Sequence, residues 1–168
     1  IVPSYLSEGR ERAHAYAVLN EILGTYHLGK MYKHFVADQK TAQSAATGYD
    51  GFALDKGTFS FFLTARDGES LSGLERQLDH FTAPASVTQK DLDKAKKRLV
   101  ADLEYLNDNP ETAANLVGLF YVLGLGVEDL KHWTTNIEKV TLADVREAYK
   151  DMLASASVTT YLMPREAP

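Results

Sequence analysis

The feature that most limits the fold is how two hydrophobic periods are distributed along the chain. Two-residue alternation occupies residues 41–66 and the extreme ends, and three- and four-residue steps occupy the rest. In "GTFSFFLTAR" (57–66) Phe59, Phe61, Leu63 and Ala65 fall on one face, as in a half-buried antiparallel strand. Before it, "TAQSAATGYDGFALD" (41–55) is built of small, strand-compatible residues, and Gly51 and Gly57 mark a turn. A hairpin or a pair of adjacent strands follows from this. Of the three neighbouring rings Phe59, Phe61 and Phe62, alternation places two in the core and leaves one exposed, where it could line a peptide groove. At the ends, "IVPSY" is strand-like, and "SASVTTYLMP" (155–164) reads as a closing strand that Pro164 ends.

The helical period starts at Glu8. Ala13, Tyr16, Ala17, Leu19, Asn20, Ile22 and Leu23 form a stripe, and Gly24 stands where a C-terminal cap would. A second, shorter helix is expected over Lys30–Gln39, through Met31, Tyr32, Phe35 and Val36. Next comes "DGESLSGLERQLDHF", with Ser70 or Ser72 as N-cap, a stripe of Leu71, Leu74, Leu78 and Phe81, and Pro84 as its stop. The clearest helix is "SVTQKDLDKAKKRLVADLEYL". Thr88 caps it, Asp91 stands in the capping-box position, and Leu92, Ala95, Leu99, Leu103 and Leu106 recur at helical steps. After "DNPE" the run Thr112–Leu123 is apolar on most sides and is expected to be buried. Two short helices follow in "VEDLKHWTTNIEKV" and "TLADVREAYKDML", the second opened by Thr141 with Asp144 three residues on.

This order of elements reads as an α+β domain: a largely antiparallel sheet with helices packed on one face. The length of 168 residues, with 45% hydrophobic and 24% charged, suits a single domain with one core. The chain opens on Ile1 rather than Met, so it is expected to be the C-terminal fragment of a longer chain. The net charge of -5 is spread along the sequence, which argues against nucleic acid as a partner, since that needs a clustered basic face. No stretch approaches the ~20 apolar residues of a membrane span. Cysteine is absent, which removes disulfides, thiolate metal sites and cysteine nucleophiles and is compatible with cytoplasm or periplasm alike.

The remaining chemistry is sparse. His14, His27, His34, His80 and His132 fall in neither H-x-x-E-H nor H-x-x-x-H, the spacings that place two imidazoles over one zinc ion, so no metal ligand is assigned. The acidic pairs Glu8/Glu11, Asp91/Asp93 and Glu104/Asp108 lie at helix starts or on wet faces, where cap and dipole effects favour them. The cluster Lys94–Arg98 could meet an anion, but it reads better as the solvated face of its helix. No catalytic residue is assigned.

Taken in order, "AHAYAVLNEILG" (13–24), "GKMYKHFVADQKTAQSAATGYD" (29–50), "GTFSFFLTAR" (57–66), "TQKDLDKAKKRL" (88–99), "IEKVTLADVREAYKDML" (137–153) and "SVTTYLMP" (157–164) resemble the second half of bacterial zinc proteases of the insulinase and mitochondrial processing peptidase family. That family pairs two similar α+β halves around a peptide-sized chamber, and one half carries the zinc motif H-x-x-E-H. The motif is absent here. The resemblance therefore implies the non-zinc partner half: no cofactor in this chain, zinc in the H-x-x-E-H half, and a peptide substrate held between the two.

Many such second halves contribute an Arg and, seven residues later, a Tyr, which can hydrogen-bond the developing oxyanion. Aligned through "MYKHFVADQKTAQSAATGY", these positions fall on Val36 and Gln43, and Lys30 and Tyr49 lie nearby off the family spacing. These four are the candidate substrate-binding residues. Val36 donates nothing and Gln43 offers only a neutral amide, so a role in shape and assembly is favoured over transition-state assistance. Two other readings stay open: a non-cleaving assembly or core subunit of the same fold, and an unrelated peptide- or protein-binding α+β domain.

Overall fold

The computed structural model describes residues 1–24 and 26–163, without the side chains of residues 26 and 106–108. A short 3-10 turn, Arg10–Arg12, feeds α1 (Ala13–Gly24). This helix is buried on nearly every side. Ala15 and Val18, off the expected stripe, are as enclosed as Tyr16, Leu19, Ile22 and Leu23. α1 is therefore the central element, and the helices and the hairpin pack around it. Its last residue, Gly24, does not adopt the left-handed conformation of a C-terminal cap. A Cβ there would lie 1.8 Å from Thr47 Oγ1 and 2.4 Å from the Thr47 backbone nitrogen, so glycine is required for close approach of helix to strand.

The strands β1 (Ala42–Tyr49) and β2 (Phe59–Ala65) pair antiparallel, Ala45 facing Leu63 and Tyr49 facing Phe59. Ala45, Thr47 and Tyr49 turn to α1: Ala45 is buried, Thr47 hydroxyl donates to Asn20 Oδ1 at 2.8 Å, and Tyr49 stacks on Tyr16 with ring centroids 5.8 Å apart. The alternation read from the sequence holds in β2, where Phe59, Phe61 and Leu63 pack against the core and Phe62 is 60% exposed. The "IVPSY" start forms a single bridge, Val2 exchanging both backbone hydrogen bonds with Gly57 at 2.9 and 2.8 Å.

Helices complete the domain: α2 (Leu71–Phe81), α3 (Gln89–Asp108), α4 (Pro110–Val122), α5 (Val127–Lys139) and α6 (Leu142–Ala154). Their ends follow the local chemistry. Ser70, not Ser72, caps α2, accepting from Gly73 N at 3.1 Å. Thr88 with Asp91 and Thr141 with Asp144 close full capping boxes on α3 and α6. Asn109 accepts from Glu111 N and Thr112 N, with Pro110 in the first turn of α4. Leu92 and Ala95 of α3 are buried, whereas Leu106 and Asp108 carry side chains outside those described. Arg98 is not part of a wet face: it reaches across to Glu21 of α1.

Two further expectations are corrected. Residues 156–163 form no strand; the Tyr161 hydroxyl donates to the Glu75 carboxylate on α2, and Val158 and Leu162 are 93% and 94% exposed. The segment pairs with no strand among the described residues, and Pro164 is outside them. The sheet among the described residues is thus two-stranded, in a helix-rich α+β domain. The second correction concerns α4. Only Phe120 is buried, while Tyr121 and Val122 are more than four-fifths exposed, because α4 lies at the outside of the helix layer and offers one face to α3 and α5.

No single helix among the described residues is long and apolar enough to cross a membrane.

Candidate functional site

The junction between residues 30 and 49 departs from regular backbone at each of the two family-aligned positions. The expected second helix begins at Lys30 but continues as a π-helix over Tyr32–Asp38, with Gln39 N donating to His34 O at 2.9 Å and Thr41 N to Phe35 O at 3.0 Å. The wide turn is anchored from inside: Met31 and Phe35 are fully buried, and Phe35 meets Phe81 of α2 edge-on at 5.3 Å. A π-turn of this kind shifts the facing of the residues beyond it and is frequent at functional sites. Val36 lies within it and packs against the core. Lys40 then takes a left-handed φ of 57°, and Thr41 hydroxyl donates to Gln77 of α2 at 2.9 Å, which turns the chain into β1.

Gln43 sits where the β1–β2 register slips, between the pairs Ala42–Ala65 and Ser44–Thr64. It is the extra residue of a bulge, and it is exposed. Beyond it, the hairpin face turned away from α1 carries Ser44, Ala46 and Gly48 on β1 and Ser60, Phe62 and Thr64 on β2. Ser44 hydroxyl donates to Thr64 Oγ1 across the strands at 2.9 Å, and the Phe62 ring covers Gly48, where a Cβ would come within 3.3 Å of its edge. The result is a shallow, uncharged wall of small side chains with one exposed aromatic ring. Such a wall can take an extended chain by contact and neutral hydrogen bonds; its polar side chains are the hydroxyls of Ser44, Ser60 and Thr64.

The other two candidates are engaged elsewhere. Lys30 Nζ lies 3.0 Å from Asp91 Oδ2 and donates to Ser86 O at 3.1 Å, tying the junction to the start of α3. Burial pushes the Asp91 carboxyl up, but hydrogen bonds from Thr88 and from Lys30 outweigh this and hold it below its ordinary value. Tyr49 hydroxyl donates to Pro3 O at 2.6 Å, and burial, reinforced by nearby Tyr5 and Tyr16, pushes its phenol well up, so it stays neutral. No hydrogen bond joins any two of Lys30, Val36, Gln43 and Tyr49 among the described residues. Sequence reasoning found the junction but missed Ser44, Thr64 and the face they form. Period-2 alternation gave Phe62; the slip at Gln43 has no sequence mark.

The histidines are dispersed. His14 is enclosed by Tyr5 and Trp133, at 4.9 and 6.4 Å between ring centroids, and its burial pushes the imidazole pKa down to about 4. His27 meets Tyr32, and His34 meets Phe35 and Phe81. Among the described residues no group of three or more His, Cys, Asp or Glu side chains could hold a metal ion. The described residues therefore do not fit zinc.

No family model matches the sequence, and the search of curated proteins found no match. Solved structures do match the chain. A protease from Helicobacter pylori superposes with a TM-score of 0.75 at 17% identity over 89% of this chain, and the peptidase M16 inactive domain from Pseudomonas fluorescens with a TM-score of 0.72 at 18% identity over 90%. In both, this chain spans 36% of the longer neighbour. The inactive peptidase domain of a protein assigned as a zinc protease in Bordetella parapertussis gives a TM-score of 0.73 at 14% identity, covering 88% of this chain and 79% of that one. The chain therefore has the fold of these solved peptidase domains, two of them described as inactive.

Proposed function

We propose that this chain is the zinc-lacking half of a two-half zinc peptidase and that its hairpin face forms the substrate-chamber wall opposite the metal. The observation that carries the reading is the shared fold with the inactive peptidase domains of Pseudomonas fluorescens and Bordetella parapertussis. In this reading an H-x-x-E-H half, in the same polypeptide or a separate one, binds zinc and activates water. The present chain binds the peptide and excludes solvent. The small side chains of Ser44, Ala46 and Gly48 leave room for an extended peptide, and the exposed strand edges offer backbone donors and acceptors to it. Gln43 touches the substrate, Val36 supports the turn behind it, and Lys30 and Tyr49 brace the wall through Asp91 and Pro3. A larger antiparallel sheet with helices on one face, as the sequence implies, would be completed by chain outside residues 1–163.

The loss of a cation at Val36 and a phenol at Gln43 favours a second reading, a non-cleaving assembly subunit of the same fold. One experiment separates them. The chain is produced together with its H-x-x-E-H half, and hydrolysis of a quenched peptide library is measured with and without Val36→Arg plus Gln43→Tyr. Zinc-dependent hydrolysis that needs this chain, and that rises at least about tenfold in the double variant, is expected. Stable association with no hydrolysis by either form points to the assembly subunit, and association with no zinc-bearing half at all removes the partner-half reading.

A further inference from the structure

The hairpin face turned away from α1 is neutral along its length and has a cation at one end. Residues 41–49 and 57–65 include no charged side chain, and Arg66 follows directly. Arg66 continues the ladder, its backbone N donating to Thr41 O at 3.1 Å, one residue past the Ala42–Ala65 pair. Ala65 packs against the core and Arg66 is exposed, so the two-residue alternation carries Arg66 to the side of Thr64 and Phe62. On β1 the bulge leaves both Gln43 and Ser44 exposed between the buried Ala42 and Ala45, which adds a polar side chain at this end of the face. Asp67 and Glu69 lie in the turn towards α2, yet among the described residues neither forms an ion pair with Arg66, and its guanidinium has no hydrogen-bond acceptor. The opposite end is apolar. Phe62 is 60% exposed and leans towards Gly48, on the side of the hairpin turn and away from Arg66. Four residues of one strand separate Phe62 from Arg66, about 13 Å. Between them stands the Ser44–Thr64 hydroxyl pair.

We propose that this face reads an extended peptide at two points: Arg66, with the Gln43 amide beside it, receives a carboxylate, and Phe62 receives an apolar side chain about four residues away along the same peptide. The proposal rests on the reading of the hairpin as the chamber wall, and it names the class of peptide that the wall selects. Charge complementarity identifies the occupant. A cation without an internal partner, at the end of a neutral surface, is completed by an anion, and a guanidinium takes a carboxylate through two parallel hydrogen bonds. Spacing identifies the second contact. Side chains four residues apart in an extended peptide lie on one side of it and are as far apart as Phe62 and Arg66 are on β2, so one bound chain engages both. The carboxylate is that of an acidic side chain or of the peptide's own C-terminus, which share this chemistry.

The test uses this chain assembled with its H-x-x-E-H half and a set of quenched peptides. One carries Phe and Glu four residues apart; its relatives have Gln for Glu, or Glu only two residues from Phe. A further pair ends four residues after Phe, as the free acid and as the amide. The expected result is a kcat/KM about fivefold higher for the correctly spaced carboxylate than for its neutral or displaced relatives. Whichever of the Glu/Gln and acid/amide preferences is larger identifies the source of the carboxylate. Arg66→Gln should abolish the preference while leaving the rate on the Gln peptide unchanged, which a loss of folding would not do. Arg66→Glu should transfer the preference to a peptide with Lys in place of Glu. No preference for either carboxylate in the parent, or the same preference in Arg66→Gln, overturns the proposal and leaves the chamber-wall reading standing. Associated halves that hydrolyse no peptide remove that reading and the proposal with it.

Discussion

Arg98 of α3 and Glu21 of α1 form an ion pair between two helices, the Glu21 side chain being 8% exposed and that of Arg98 27%. Arg98 also donates to the Glu21 backbone carbonyl at 3.4 Å. The pair fixes the long helix on the central one, and it helps to explain why an acidic residue is tolerated in the last turn of the most buried helix. An enclosed charge that keeps its partner is tolerated; one that loses it is costly.

Arg98→Ala should therefore destabilise the domain by about 1–2 kcal/mol, since it removes a charged partner from the enclosed Glu21 carboxylate. Arg98→Met combined with Glu21→Leu should recover most of that loss, because matched apolar groups of similar size need no counter-charge. Urea unfolding followed by circular dichroism measures both. A single variant within about 0.5 kcal/mol of the parent would show the pair to be idle.

His14 predicts a specific acid sensitivity. Its imidazole is pushed down to about 4 by burial beside Tyr5 and Trp133, against 6.5 for the free group. The unfolded chain therefore binds a proton in the interval from about 6.5 down to about 4, where the folded chain does not. The contribution is fully present above about 6.5 and is lost as the pH falls to about 4. Discounted for the partial exposure of the ring, the loss is about 2 kcal/mol. Comparing the unfolding midpoints of the parent and His14→Phe at pH 7 and pH 4.5 isolates it: the parent should lose more than the variant. Equal losses would mean that His14 titrates normally.

Two glycines should respond to alanine with opposite signs. Gly24→Ala drives a methyl group into the Thr47 backbone and should cost about 2 kcal/mol or more, because neither helix nor strand can retreat without opening the core. Gly118→Ala lies in a helix with open space around it and should raise stability by about 0.5–1 kcal/mol through helix propensity alone. Thermal melts of the two variants decide the matter, and a stabilised Gly24→Ala would contradict the helix-to-strand contact described above.

Much was determined by the sequence alone. The capping boxes at Thr88 and Thr141, a serine cap at Ser70 or Ser72, the β2 alternation and the lack of metal-ligand spacing are local facts, fixed by residues two to four apart. Only the tertiary structure decided the rest, because each remaining feature depends on what packs against a segment. Apolar composition alone could not tell that α4 is outermost rather than core. The β-branched residues of 156–163 form no ladder, since β propensity does not itself supply a pairing partner. The π-turn at Val36 and the bulge at Gln43 arise where a helix anchored by Phe35 must meet a strand held to α1 through Gly24 and Thr47. Register and burial are properties of pairs of segments distant in sequence, and only the folded arrangement specifies them.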